Sequence, residues 1–268
     1  MQDGGIWSNS LRYISYAHKH QTSSMDHSTL PAHISDILLE SVRLARSQQN
    51  FKLAHMLLRR HIRQLTEGAG DSHSSDTDFS LAIQNMNASP RVTAEEKLKV
   101  MRELSKLKAC SGQLPQAIET LAMSITAFST NAADGIMKRG SAASIIAQGS
   151  PEGNELSARS FLSIFKWLHS DSRVVQSMWK SDTPVIQQLN TLFHMEEEVR
   201  SEGAGLFEGN GENWDLFVLE DSKFERHEFA MGQLLHLATV YAPKLAKSWW
   251  NLAGWCYRIG RKNLEAIG

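Results

Sequence analysis

The sequence predicts an all-α fold, an α-solenoid in which antiparallel helix pairs stack side by side. Apolar residues recur at spacings of three and four from Ala32 onward, and no alternating run with turn punctuation suggests a sheet. Helix starts and stops are written in capping residues, glycines and prolines. The run KSWWNLAGWCYRIGRK, residues 247–262, carries Trp249, Leu252, Ala253, Tyr257 and Gly260 behind Pro243. That order of large, small, aromatic and glycine positions opens a helix-turn-helix repeat of the tetratricopeptide kind, with the proline closing the helix before it.

Residues 1–29 are polar and rich in Ser, His and Gln, and read as a poorly ordered segment. The solenoid spans 30–268. Ile34, Ile37, Leu38, Ser41, Leu44 and Ala45 mark one face of a first helix, and Ser47–Asn50 breaks it. Ala54, Leu57, Leu58, Ile62 and Leu65 mark the inner face of its partner, with small Ala54 allowing close approach. Residues 68–80 are small, polar and acidic, a loop by composition. Residues 81–90 are ambiguous up to the stop at Ser89-Pro90. Thr93 and Glu96 then form a capping box, in which each side chain satisfies the other's backbone N–H. Leu98, Met101, Leu104 and Leu107 follow, Gly112 ends that helix, and Pro115 sits in the first turn of the next. Ala117, Leu121, Ser124 and Ile125 face inward there. Met101 stands where a repeat of this kind carries an aromatic, so this repeat is degenerate.

Residues 129–153 are rich in Gly, Ala and Ser and read as a loop or broken helix. Ser150-Pro151 starts a helix with Ala158, Phe161, Leu162, Phe165 and Leu168 inward. Short helices are expected over 172–180 and from Pro184 to about Arg200, then a Gly- and Glu-rich loop at 201–213. The last pair runs from Glu225 to Ala242 and from Lys247 to Ile259. A repeat helix cannot bury its apolar face alone, so the pattern predicts a solenoid that continues past Gly268.

The bulk properties are those of an ordinary globular chain. Of 268 residues, 41% are apolar and 21% charged, and the net charge of −1 gives no global basic field toward nucleic acid or membrane. The two cysteines, Cys110 and Cys256, lack CxxC spacing, which argues against a zinc finger or a disulfide scaffold and fits a reducing compartment. The first residues lack the basic start and apolar run of a signal peptide, and no stretch has the length of a membrane span. A cytoplasmic location is expected, with the nucleus also compatible.

Catalytic signatures are weak throughout. Gly203, Gly205 and Gly209 match no phosphate-loop spacing and sit among Glu202, Glu208 and Glu212, which would repel phosphate. His18, His20, His27 and His33 lack ligand-spaced partners, and His55 and His61 are six apart, so no metal site is expected. Cys110, beside Lys108, has no visible base or oxyanion site. Cys256 reads as a core residue. No nucleophile elbow and no kinase loop set is found. Arg59, Arg60, His61 and Arg63 read as charges complementing the end of the second helix. Lys244, Lys247, Arg258, Arg261 and Lys262 bracket the tryptophan-rich helix, either as a solvated face or as a polyanion or partner site. The spacing of Trp249, Trp250 and Trp255 places at least two of them in helix packing.

The run KSWWNLAGWCYRIGRK is similar to a helix in the FAT region of PI3K-related protein kinases, particularly the SMG-type kinases of nonsense-mediated mRNA decay. The stretches at 38–60, 114–129 and 156–174 resemble earlier helices of the same region. The resemblance covers roughly residues 30–268 and implies FAT repeats that wrap and support a kinase domain, along with the remaining solenoid and regulatory subunits. It implies no catalysis within this segment. The parent kinase would use ATP with Mg or Mn to phosphorylate Ser or Thr before Gln on an Upf-family RNA helicase. Related FAT regions hold inositol hexakisphosphate in a Lys/Arg pocket, which makes Lys244, Lys247, Arg258, Arg261 and Lys262 the candidate contributors. Neither nucleic acid nor membrane is expected as a direct partner. The competing expectation is a free-standing repeat adaptor whose concave face binds a peptide.

Overall fold

The computed structural model describes residues 30–67, 79–133, 150–170, 184–189 and 226–267. Every regular element among these residues is a helix. In chain order they are α1 (Leu30–Ser47), α2 (Phe51–Glu67), α3 (Phe79–Ala88), α4 (Ala94–Cys110), α5 (Leu114–Ala133), α6 (Pro151–Ser170), α7 (Arg226–Tyr241) and α8 (Ala246–Ile267). Residues 184–189 add a short helical stretch between α6 and α7. The expected segments at 1–29, 172–180 and 201–213 lie outside the described residues.

Local chemistry sets the boundaries. Between α1 and α2, Gln49 takes a left-handed backbone with φ of 60°, and Asn50 Oδ1 accepts from the Leu53 amide at 3.1 Å. This is the side-chain cap that starts α2. At the head of α4, Thr93 Oγ1 accepts from the Glu96 amide at 3.2 Å while the Thr93 amide donates to Glu96 Oε2 at 2.9 Å, the reciprocal box the sequence predicts. Gly112, with φ of 80°, turns the chain into α5, and the Gln113 amide closes back on the Lys108 carbonyl at 2.9 Å. Ser150 Oγ accepts from the Gly153 amide at 2.9 Å and caps α6.

Consecutive helices pack as pairs: α1 with α2, α4 with α5, α6 with α7 and α7 with α8. Longer-range packing puts α4 against both α1 and α2, and α6 against both α4 and α5. Two apolar cores result. The first joins Leu38, Val42, Ala54, Leu58, Ile62 and Met86 to Val100, Leu104 and Leu107 of α4. The second joins Leu98, the inner faces of α5 and α6, residues 185, 186 and 189, and α7 to Trp255 and Ile259 of α8. α4 therefore belongs to both cores and is the joint between them.

Two glycines are required by close approach. A Cβ on Gly153 would lie 2.5 Å from the Phe128 ring, and one on Gly232 would lie 2.5 Å from the Trp255 ring. These contacts set the α5–α6 and α7–α8 spacings.

Several expectations are corrected. In α1 the buried face is Leu38, Leu39, Val42 and Ala45, whereas Ile37 and Leu44 are 43% and 46% exposed. The helix is apolar around much of its girth, and α4 as well as α2 decides which side is covered. The ambiguous stretch at 81–90 is helical up to Ala88, and Phe79 and Ser80, expected in a loop, begin that helix. Residues 129–133, expected in a loop or broken helix, are helical, and the helix signalled by Ser150-Pro151 begins at Pro151. α2 runs to Glu67, so Arg59–Arg63 lie inside the helix rather than at its end, and no basic residue occupies its last turn. Cys256 is exposed, not core. Of the three tryptophans only Trp255 is buried, while Trp249 and Trp250 are 50% and 81% exposed.

His61 is 1% exposed, and its Nδ1 has no hydrogen-bond partner. Burial pushes its pKa down to about 4, against weaker upward pulls from Glu96 and Asp36. In the unfolded chain the imidazole protonates near its ordinary value, so the unfolded state takes a proton that the fold refuses. Stability is expected to fall by about 3 kcal/mol as pH drops from ~6.5 to ~4, with no further loss from this group below that. Urea titrations across this range should show the slope, and His61→Leu should remove most of it.

Candidate functional site

The described surface is cut by an open cleft of about 680 Å³ where α6 faces α8, with α4 contributing one residue. Its volume lies in the range of small-ligand sites. On α6, Arg159, Ser163, Lys166 and His169 line it, at helical spacings that put them on one face. On α8, Lys247, Trp250, Asn251, Gly254 and Arg258 do the same. Arg102 of α4 completes the wall. Each stripe is the polar side of a helix whose other side is in the second core, so core packing itself turns the charges toward one another.

Five permanent cations and a histidine thus face one space, and no Asp or Glu is among the described residues lining it. Arg159 is partly neutralised from outside by Glu155, 2.8 Å from its Nε. Nε and Nη2 of Arg258 are screened from solvent and make no hydrogen bond, and the same holds for Nε of Arg102. These nitrogens are covered by protein, so an anionic ligand in the cleft would meet the cations through their charge and their accessible donors. Trp250 and Phe165 add apolar surface to the lining, while Gly254 has open space where a side chain would stand. The Ser163 hydroxyl in this lining donates to the Arg159 carbonyl of its own helix at 2.9 Å. The cleft can hold and orient a compact ligand with several negative charges.

The sequence-derived candidates divide. Lys247 and Arg258 line the cleft together. Lys244 and Arg261 are exposed outside its lining, and the side chain of Lys262 lies outside the described residues. Arg102, Arg159, Lys166 and His169 were not legible as site residues, because each reads in its own helix as one more solvated charge.

A second feature was also missed. Glu103 is 1% exposed and sits where α4 crosses α1. Its carboxylate meets Lys106 Nζ at 2.7 Å, Arg43 Nε at 3.2 Å and Arg46 Nη2 at 3.5 Å. Arg102 Nη1 lies 3.9 Å away. Arg43 also bonds Glu40 on the surface side. Burial opposes the charge on Glu103, but Lys106, Arg43 and Arg46 outweigh it and hold the carboxyl below its usual range. The cations outnumber the carboxylate, and the excess shows on Lys106. Burial, aided by Arg102 and Arg46 and countered by Glu103, pushes its ammonium down to about 8. Arg102 is lowered by burial first, with Glu103 opposing and Arg43, Arg159 and Arg46 repelling. Arg102 therefore belongs to both features, touching the cluster on one side and lining the cleft on the other.

No family model matches the chain. Along 98% of its length it is similar to the serine/threonine-protein kinase SMG1 of Danio rerio, with 26% identity over 279 residues. The chain spans 7% of that kinase's length. It thus resembles one segment of a PI3K-related kinase of the SMG type, as the helices at 38–60, 114–129, 156–174 and 247–262 suggested.

Proposed function

We propose that this chain is a support segment of a PI3K-related Ser/Thr protein kinase acting in nonsense-mediated mRNA decay, contributing by contact rather than by catalysis. The observation that carries this reading is the similarity of nearly the whole chain to a small part of one such kinase. The chemistry of the parent, ATP with Mg or Mn acting on an Upf-family helicase in the cytoplasm or nucleus, then lies in other parts of it. The support surface is the outer face of α8. There Trp249 and Tyr257 are 50% and 74% exposed, beside exposed Ala253 and Gly260. Large rings flanking small residues suit the close seating of another helix, from the kinase domain, the remaining solenoid or a regulatory subunit. Replacing Ala253 and Tyr257, both exposed and outside the cleft lining, together by Glu in the complete kinase is expected to cut helicase phosphorylation several-fold. Unchanged activity would remove the reading.

The cleft extends it. Its five cations suit inositol hexakisphosphate, held by Arg102, Arg159, Lys166, Lys247 and Arg258. Such a ligand would brace α4, α6 and α8 against one another.

A further inference from the structure

Arg102 stands at the boundary between the cleft and the Glu103 cluster. The cluster holds α4 to α1, and across it Arg43 and Arg46 of α1 face Arg102 and Lys106 of α4 with Glu103 as the buried anion between them. Like charges on opposing helices repel, and at low effective dielectric that repulsion is not negligible. On its other side Arg102 lines the cleft and feels the charge of Arg159 from α6. Among the described residues lining the cleft, Arg102 is the one that also borders the Glu103 cluster.

Resting on the reading of the cleft as a polyphosphate site, we propose that ligand in the cleft tightens the α1–α4 joint through Arg102, so that occupancy of the C-terminal half is transmitted to the N-terminal core. Phosphate oxygens beside Arg102 supply the negative charge the cluster lacks. They relieve the repulsion of Arg102 by Arg43 and Arg46, and leave Glu103 free to bind those two arginines and Lys106. The change needs no movement of helices. It lowers the free energy of the closed joint relative to the open one, which is all that coupling requires.

The test is amide hydrogen exchange of the full chain with and without saturating myo-inositol hexakisphosphate, on wild type and on Arg102→Gln. Titration calorimetry fixes saturation for each protein. In wild type, exchange in α6 and α8 slows on binding, and exchange in α1 slows by about fivefold as well. In Arg102→Gln, which keeps Arg159, Lys166, Lys247 and Arg258, ligand still protects α6 and α8, but the protection of α1 is lost. If α1 is protected equally in both proteins, or in neither while α6 and α8 respond, the coupling is refuted and the cleft reading stands. If calorimetry detects no binding to wild type, the cleft reading itself falls and the coupling with it.

Discussion

Glu103→Gln is expected to destabilise the chain by about 3–5 kcal/mol, the usual consequence of removing one member of a buried ion cluster. The side chain is 1% exposed, and its removal leaves Lys106, Arg43 and Arg46 facing one another with no anion between them. Glutamine keeps the volume and one acceptor, so the loss reports charge rather than shape. The native carboxyl is held below its ordinary range. Its stabilising contribution is therefore present above the unfolded value of ~4.5 and fades as pH falls through the lower folded value. The gap between Glu103→Gln and wild type should narrow on acidification. Urea denaturation at neutral and acid pH measures both effects. A companion variant, Glu103→Leu with Arg43→Met and Arg46→Met, removes anion and opposing cations together. It should recover part of the loss, because the two α1 cations go with the anion, and adding Lys106→Met, which removes the closest cation of Glu103 as well, should recover more.

Phe161→Ala should cost about 3–5 kcal/mol, from lost burial plus the cavity left behind. Phe161 is 1% exposed at the centre of the second core. Its ring meets that of Tyr241 edge-on, with centroids 5.4 Å apart and planes at 68°. That contact fixes α6 against α7, and α7 in turn carries Gly232, the seat of Trp255. The two walls of the cleft are therefore held in register by this packing, and calorimetric unfolding of the variant should show the loss directly. A double-mutant cycle with Tyr241→Leu should return a coupling of about 0.5–1.5 kcal/mol for the ring pair.

Much of the architecture was legible locally. Thr93 with Glu96, Gly112 before Pro115, and Ser150 before Pro151 announce their helix ends because capping chemistry acts within a few residues. What failed was longer-range. Residues 34–45 are apolar on more than one side, and periodicity alone does not say that Leu39 and Val42 enter the first core while Ile37 and Leu44 stay exposed. The spacing of Trp249, Trp250 and Trp255 puts at least two of them in helix packing, but only Trp255 is buried. Their helix instead turns Trp255 inward against Gly232 and leaves the other two outward. Glu103 reads in KVMRELSKLK as one polar residue on a solvated face, since its partners Arg43 and Arg46 lie almost sixty positions away. The cleft was half visible: Lys247 and Arg258 lie in one basic cluster of the sequence, but Arg102, Arg159 and Lys166 reach it only through helix stacking.

The proposed support role is tested most directly by the activity of the proposed parent kinase carrying Ala253→Glu and Tyr257→Glu. Both side chains are exposed in the segment and lie outside the cleft lining, so the isolated segment should keep its helical content and its thermal transition. That control separates a lost contact from a lost fold. The account predicts a several-fold fall in phosphorylation of an Upf-family helicase by the purified variant kinase. Wild-type phosphorylation by a variant whose segment is intact would contradict it.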